Sequence, residues 1–138
     1  MAKAHRLHAQ LLFSVGRENA ASAATRAIEL GESLIRQNHA PNTIVGECAV
    51  AYVVAGEIAM RANPPAANAY WHRALEVVAP KLPGAKDWRL LDPAARATFF
   101  TGHVSDAIAM MKQLGDHGYV PLDPWPEAAI NSTPPKSQ

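Results

Sequence analysis

The sequence predicts an all-α fold of three stacked antiparallel helical hairpins, about six helices, followed by an extended proline-rich tail. Three observations predict it. The 138 residues hold 27 alanines against nine aromatics, a balance that favours helix by intrinsic propensity and close packing between helices. Apolar residues recur at three- and four-residue steps, and the one β-like run, Val50 to Val54, sits inside a longer helical pattern. A short motif also recurs: a Gly or Ala closing one apolar segment, an Ala five residues on, then a helical run. It is found at Gly16 to Ala21, Ala62 to Ala67 and Gly102 to Ala107. Small residues at this spacing let two antiparallel helices approach, and the break between them starts the second.

The first predicted helix carries Ala4, Leu7, Leu11 and Val15 and ends at Gly16, where glycine takes a φ > 0 turn. The second carries Ala21, Ala24, Ile28, Leu34 and Ile35, with Gly31 a weak point inside it. It stops before Asn38-His39-Ala40-Pro41, because proline disfavours helix at the residue before it. These two make hairpin one. Asn42 or Thr43 is placed to cap the third helix, whose stripe is Ile44, Cys48, Ala51, Tyr52, Ala55, Ile58 and Ala62.

Asn63-Pro64 restarts the chain, since Asn accepts orphan amide protons and Pro lacks the amide that would be left unpaired. The helix behind it runs through Ala67, Tyr70, Trp71, Ala74, Val77 and Val78 to Pro80, closing hairpin two over roughly 43 to 79. Residues 80–86 hold two prolines and a glycine and read as a loop. Asp92-Pro93 reads as another cap, leading through Ala94, Ala97, Thr98 and Phe100 to the break at Gly102. The last helix carries Val104, Ala107, Ile108, Met111 and Leu114 and ends around Gly115 and Gly118, so hairpin three covers about 89 to 117. Beyond Tyr119, five prolines exclude helix or central strand. The chain therefore divides into a helical domain, 1–119, and a tail, 120–138. Tyr119, Leu122 and Trp125 are placed to fold back over the last hairpin, while residues from about 128 onward read as free.

Thirteen basic and twelve acidic residues give a net charge of +1 and are interspersed, which leaves no electrostatic footprint for nucleic acid or anionic lipid. A single cysteine, Cys48, excludes an intrachain disulfide and points to a reducing, cytoplasmic setting. Its neighbours Val45, Ala49 and Tyr52 make it a buried small hydrophobe rather than a reactive thiol. Polar residues interrupt the N-terminal apolar stretch, giving a poor signal peptide, and no run of about 18 apolar residues exists to predict a membrane span.

Chemistry-bearing residues are sparse. His5-x-x-His8 puts two imidazoles on one helical face, but two ligands without a third make no metal site. His39 and His117 fall at predicted helix ends, where a cation complements the dipole, and His72 and His103 are polar positions in or beside a helix. Glu47 and Glu57 share an apolar helix without a nucleophile or phosphate loop nearby, so they read as solvent-facing, or in the case of Glu57 as paired with Arg61. No enzyme activity and no cofactor is expected. Trp71 and Trp88 read as packing anchors, while Trp125 has no obvious core to join and is free to dock on a partner.

The run Ala67 through Trp71-His72-Arg73-Ala74-Leu75-Glu76 to Pro80 resembles the tetratricopeptide repeat, as does the turn Gly102-His103-Val104-Ser105-Asp106-Ala107. Gly16 to Ala21 with Arg26-Ala27-Ile28-Glu29-Leu30 matches the turn, its final run one residue out of step. The resemblance covers about residues 1 to 117. The equivalent alanines, Ala21, Ala67 and Ala107, lie 46 and 40 residues apart, departing from the family period of about 34. That departure implies longer helices or inserted loops, in a divergent repeat or in a six-helix bundle.

The resemblance implies an α-solenoid whose first-arm helices line a concave groove for a partner peptide or helix. Carried over by register, the groove positions are Lys3, Arg6 and Gln10 in the first helix, Tyr52 in the third, and Arg89 and Arg96 in the fifth. Their cationic character implies an acidic partner held by charge-assisted hydrogen bonds. The expectation is a noncatalytic interaction module or scaffold. The alternative is a helical-bundle sensor binding a small molecule in an apolar cavity. A helical pattern beginning almost at Met1 and only three repeats further suggest the C-terminal part of a larger protein or a self-associating homo-oligomer subunit.

Overall fold

The computed structural model describes residues 18–37 and 40–126. The first predicted helix, with Lys3, Arg6, Gln10, His5 and His8, lies outside the described residues, as do His39 and the tail beyond residue 126. The described part is all-helical: α1 (Glu18–Ile35), α2 (Asn42–Ala59), α3 (Pro64–Val78), a 3-10 turn (Ala79–Lys81), α4 (Trp88–Phe100) and α5 (Val104–Asp116). Hairpins two and three are thus α2/α3 and α4/α5. α2 is central, packed by α1, α3 and α4; α3 also meets α4, and α5 packs principally on α4.

The helix ends follow local chemistry. α4 and α5 both close in a Schellman motif with glycine in the left-handed region at C′. At Gly102 (φ 95°), the His103 amide donates to Thr98 O and the Gly102 amide to Phe99 O. At Gly118 (φ 85°), the Tyr119 and Gly118 amides donate to Leu114 O and Gly115 O. Asn63 caps α3 by accepting from the Ala66 amide at 3.2 Å, with Pro64 at the first helical position.

Two expected caps are corrected. α2 already begins at Asn42 behind Pro41, and the Asn42 side chain instead donates to Asp87 Oδ2 at 3.2 Å. α4 begins one turn earlier than the Asp92-Pro93 signal suggested, because Asp87 accepts from the Arg89 amide at 2.9 Å and caps it there. Pro93 consequently lies inside the helix and Asp92 becomes a buried carboxylate.

Alanine does the packing expected of it: Ala27, Ala49, Ala51, Ala67, Ala95, Ala97 and Ala107 are fully buried. Glycine tightens the same seams. A Cβ on Gly31 would stand 2.8 Å from Cys48 Cβ, and one on Gly56 would stand 2.2 Å from Trp71 Nε1. Gly31 is therefore a contact point between α1 and α2 rather than a weak point. Over Gly56 the Trp71 indole donates to Val53 O at 3.3 Å and stacks on Phe100, centroids 4.6 Å apart. Cys48 is fully buried, and burial pushes its thiol up to about 12.

α2 is the one helix among the described residues long and apolar enough to cross a membrane, with a mean hydropathy of 1.2 over Asn42–Ala59. More than half of that stretch is buried against its three neighbours, as in the core helix of a bundle.

Candidate functional site

A cavity of about 610 Å³ opens between α2 and α4 and is bordered on its third side by the chain after α5. Helical spacing aligns Val50, Val53, Val54 and Glu57 along the α2 wall. Arg89, Asp92, Pro93 and Arg96 supply the α4 wall at the same three- and four-residue steps, with Trp88, 47% exposed, at the rim. The third side is a non-helical strap, residues 119–124, which Gly118 turns back from the end of α5 and which bends at Leu122 and Asp123.

Asp92 organises the α4 wall. It is 8% exposed and accepts from Arg96 Nε at 2.6 Å and from the Tyr119 hydroxyl. The Arg96 guanidinium turns two further donors to the strap, bonding Pro124 O at 3.0 Å and Asp123 O. Trp125 lies over the same guanidinium, 4.7 Å from its carbon, in a cation–π contact. Tyr119 stacks on Trp88 at 5.4 Å. Burial, then its bond to Asp92, raises the Tyr119 phenol, which holds its proton and donates.

Glu57 stands opposite on α2. Burial among the valines pushes its carboxyl up to about 7, with Arg96 pulling it down and Asp123 on the strap pushing it further up. Glu57 is thus half-buried on the cavity wall rather than fully solvent-facing, because α4 and the strap flank this part of α2. Arg89, the outer cation, pairs with Asp87 at 3.2 Å and lies 5.0 Å over the Trp88 ring.

Of the groove residues expected from the sequence, Arg89 and Arg96 come together on one wall. Tyr52 does not join them. It is 8% exposed on the side of α2 that meets α1, where its hydroxyl donates to Glu32. Glu32 also takes Arg73 from α3, Nη2 to Oε2 at 2.7 Å, so this triad ties three helices together. The register transfer fails at Tyr52 because α1 packs on that face, with Gly31 against Cys48 and Glu32 on the Tyr52 hydroxyl. Lys3, Arg6 and Gln10 lie outside the described residues.

The strap honours the expectation for Tyr119 and Trp125, whose side chains fold back, but not for Leu122, which is fully exposed. Asp92 and Glu57 were missed as site residues. The four-residue spacing of Asp92 and Arg96 carried the signal for the first; nothing in sequence separates Glu57 from an exposed glutamate. His117 caps the end of α5 as expected, its Nδ1 lying 2.8 Å from Gln113 O. Among the described residues no group of three His, Cys, Asp or Glu is placed to hold a metal. No protein-family model, curated protein or solved structure matches the chain.

Proposed function

We propose that this protein is a noncatalytic interaction module, a divergent tetratricopeptide-like stack of hairpins that takes an extended peptide in the groove between α2 and α4. One observation carries the reading: the groove already holds a non-helical segment, the chain's own strap, through main-chain carbonyls on Arg96 and aromatic rings at either end. Main-chain recognition of this kind serves peptides of varied sequence. The packing order supports a stack over a closed bundle, since successive first arms α2 and α4 touch and α5 reaches mainly its own hairpin partner. Arg89 and Arg96 give the groove its cationic wall, suited to carbonyls and to a partner's carboxylates.

The test is panning of a random peptide library against the full chain. Enriched peptides should bind in solution and lose affinity on Arg89→Glu with helicity unchanged. Absence of enrichment, or binding indifferent to that reversal, overturns the reading.

The wall of Val50, Val53 and Val54 favours a second reading, a sensor taking a small apolar molecule in the 610 Å³ cavity. A screen for ligands that raise Tm separates the two, because a cavity ligand should be insensitive to Arg89→Glu.

A further inference from the structure

The strap has the attributes of a bound ligand more than of a folded element. It forms no helix, and its own aliphatic side chains stay open to solvent at the groove's edge: Val120 is 80% exposed and Leu122 fully exposed. What holds it is chemistry at two ends. At one end the Tyr119 hydroxyl meets the buried Asp92 carboxylate and its ring meets Trp88. At the other, Arg96 takes two successive carbonyls while Trp125 covers the guanidinium and packs on Ala95, Ala107 and Met111. Between them the chain bends at Leu122 and Asp123, and Pro121 and Pro124 limit the backbone freedom on either side of the bend.

We propose that residues 119–125 are a tethered stand-in for the partner: a non-helical, proline-containing peptide with a Tyr and, six residues on, a Trp, which replaces the strap on Asp92 and Arg96. This rests on the peptide-binding reading above and names its ligand. The walls set the order of the two aromatics. Asp92 is a buried acceptor, so the first position requires a hydroxyl donor rather than Phe. Arg96 offers a flat cation, so the last position requires a broad π face.

The probe is the dye-labelled peptide Tyr-Val-Pro-Leu-Asp-Pro-Trp-Pro, titrated by anisotropy into the full chain and into full-length Trp125→Ala. A tether competes at high effective concentration, so the variant should bind the peptide at least about tenfold more tightly than the unaltered chain. A peptide with Ala for Trp should bind neither. Tyr119→Phe, which removes one hydroxyl, serves as the milder variant should Trp125→Ala melt uncooperatively, and should show a smaller gain in the same direction. Equal affinity for the unaltered chain and a folded variant overturns the proposal, as does no binding to the folded variant. Should library peptides bind both proteins alike, the peptide-binding reading stands and only the stand-in role falls.

Discussion

The carbonyl oxygen of Arg89 in α4 abuts Gly46 in α2, so closely that a Cβ on Gly46 would stand 2.3 Å from it. Four residues along α4 is Pro93, which has no N–H to return to that carbonyl. The helix thus gives up one internal hydrogen bond where the neighbouring backbone comes nearest. This crossing sets the spacing of the two walls of the groove.

Gly46→Ala should therefore destabilise the fold by about 3 kcal/mol, since the added methyl meets backbone rather than a side chain able to swing aside. Denaturant unfolding followed by circular dichroism measures it. A loss below about 0.5 kcal/mol, the usual range of a surface substitution, would show that α2 and α4 part easily.

Tyr52→Phe separates a packing role from a groove role. The hydroxyl bonds Glu32, itself held by Arg73, so its removal should cost about 1 kcal/mol in stability and leave peptide affinity unchanged. Burial works to raise the Glu32 carboxyl, but the bonds from Tyr52 and Arg73 outweigh it and hold it below its ordinary value of 4.5. The stability Glu32 contributes is present above that value and is lost as pH falls through the folded one. Melting of the variant and the parent should therefore converge in acid.

Glu57 has the opposite sign. Its folded value of about 7 lies above the ordinary 4.5, so the folded state holds the proton more tightly than the unfolded chain. Its contribution is full below pH 4.5 and is lost as pH rises to about 7, by at most on the order of 3 kcal/mol. Glu57→Gln should flatten that loss and leave the variant the more stable protein at pH 8. A pH–stability curve unchanged by the substitution would place this carboxylate in water.

Asp92→Ala leaves the Arg96 guanidinium, only 11% exposed, without its nearest counter-charge. Breaking one side of such a pair costs about 3–5 kcal/mol, and here the same change removes the acceptor for Tyr119. Limited proteolysis should then cut within residues 119–126 faster than in the parent. Unchanged cleavage there would show that Asp92 does not secure the strap.

Most of the helical frame is legible in the sequence because its signals are local. Asn63-Pro64, Gly102 and Gly118 each determine the backbone around them, and the structure honours all three. Asp87 and Asp92 both precede plausible helix starts, and choosing between them required knowing that Asn42 waits across the interface for Asp87. The site was half legible. Arg89 and Arg96 share a face by simple spacing, whereas Tyr52 and Glu57 sit on one apolar helix whose sides are assigned only by what packs there. Alternating small residues on α2 gave no preferred face, since α1, α3 and α4 all claim one.

The three tryptophans divide the molecule optically. Trp71 is sealed between Gly56 and Phe100, whereas Trp88 and Trp125 flank Tyr119 at the strap. Emission from the chain is therefore a sum of one blue, water-shielded component and two that answer to the groove. Occupancy of the groove can be followed without a label, against an internal standard built into the core.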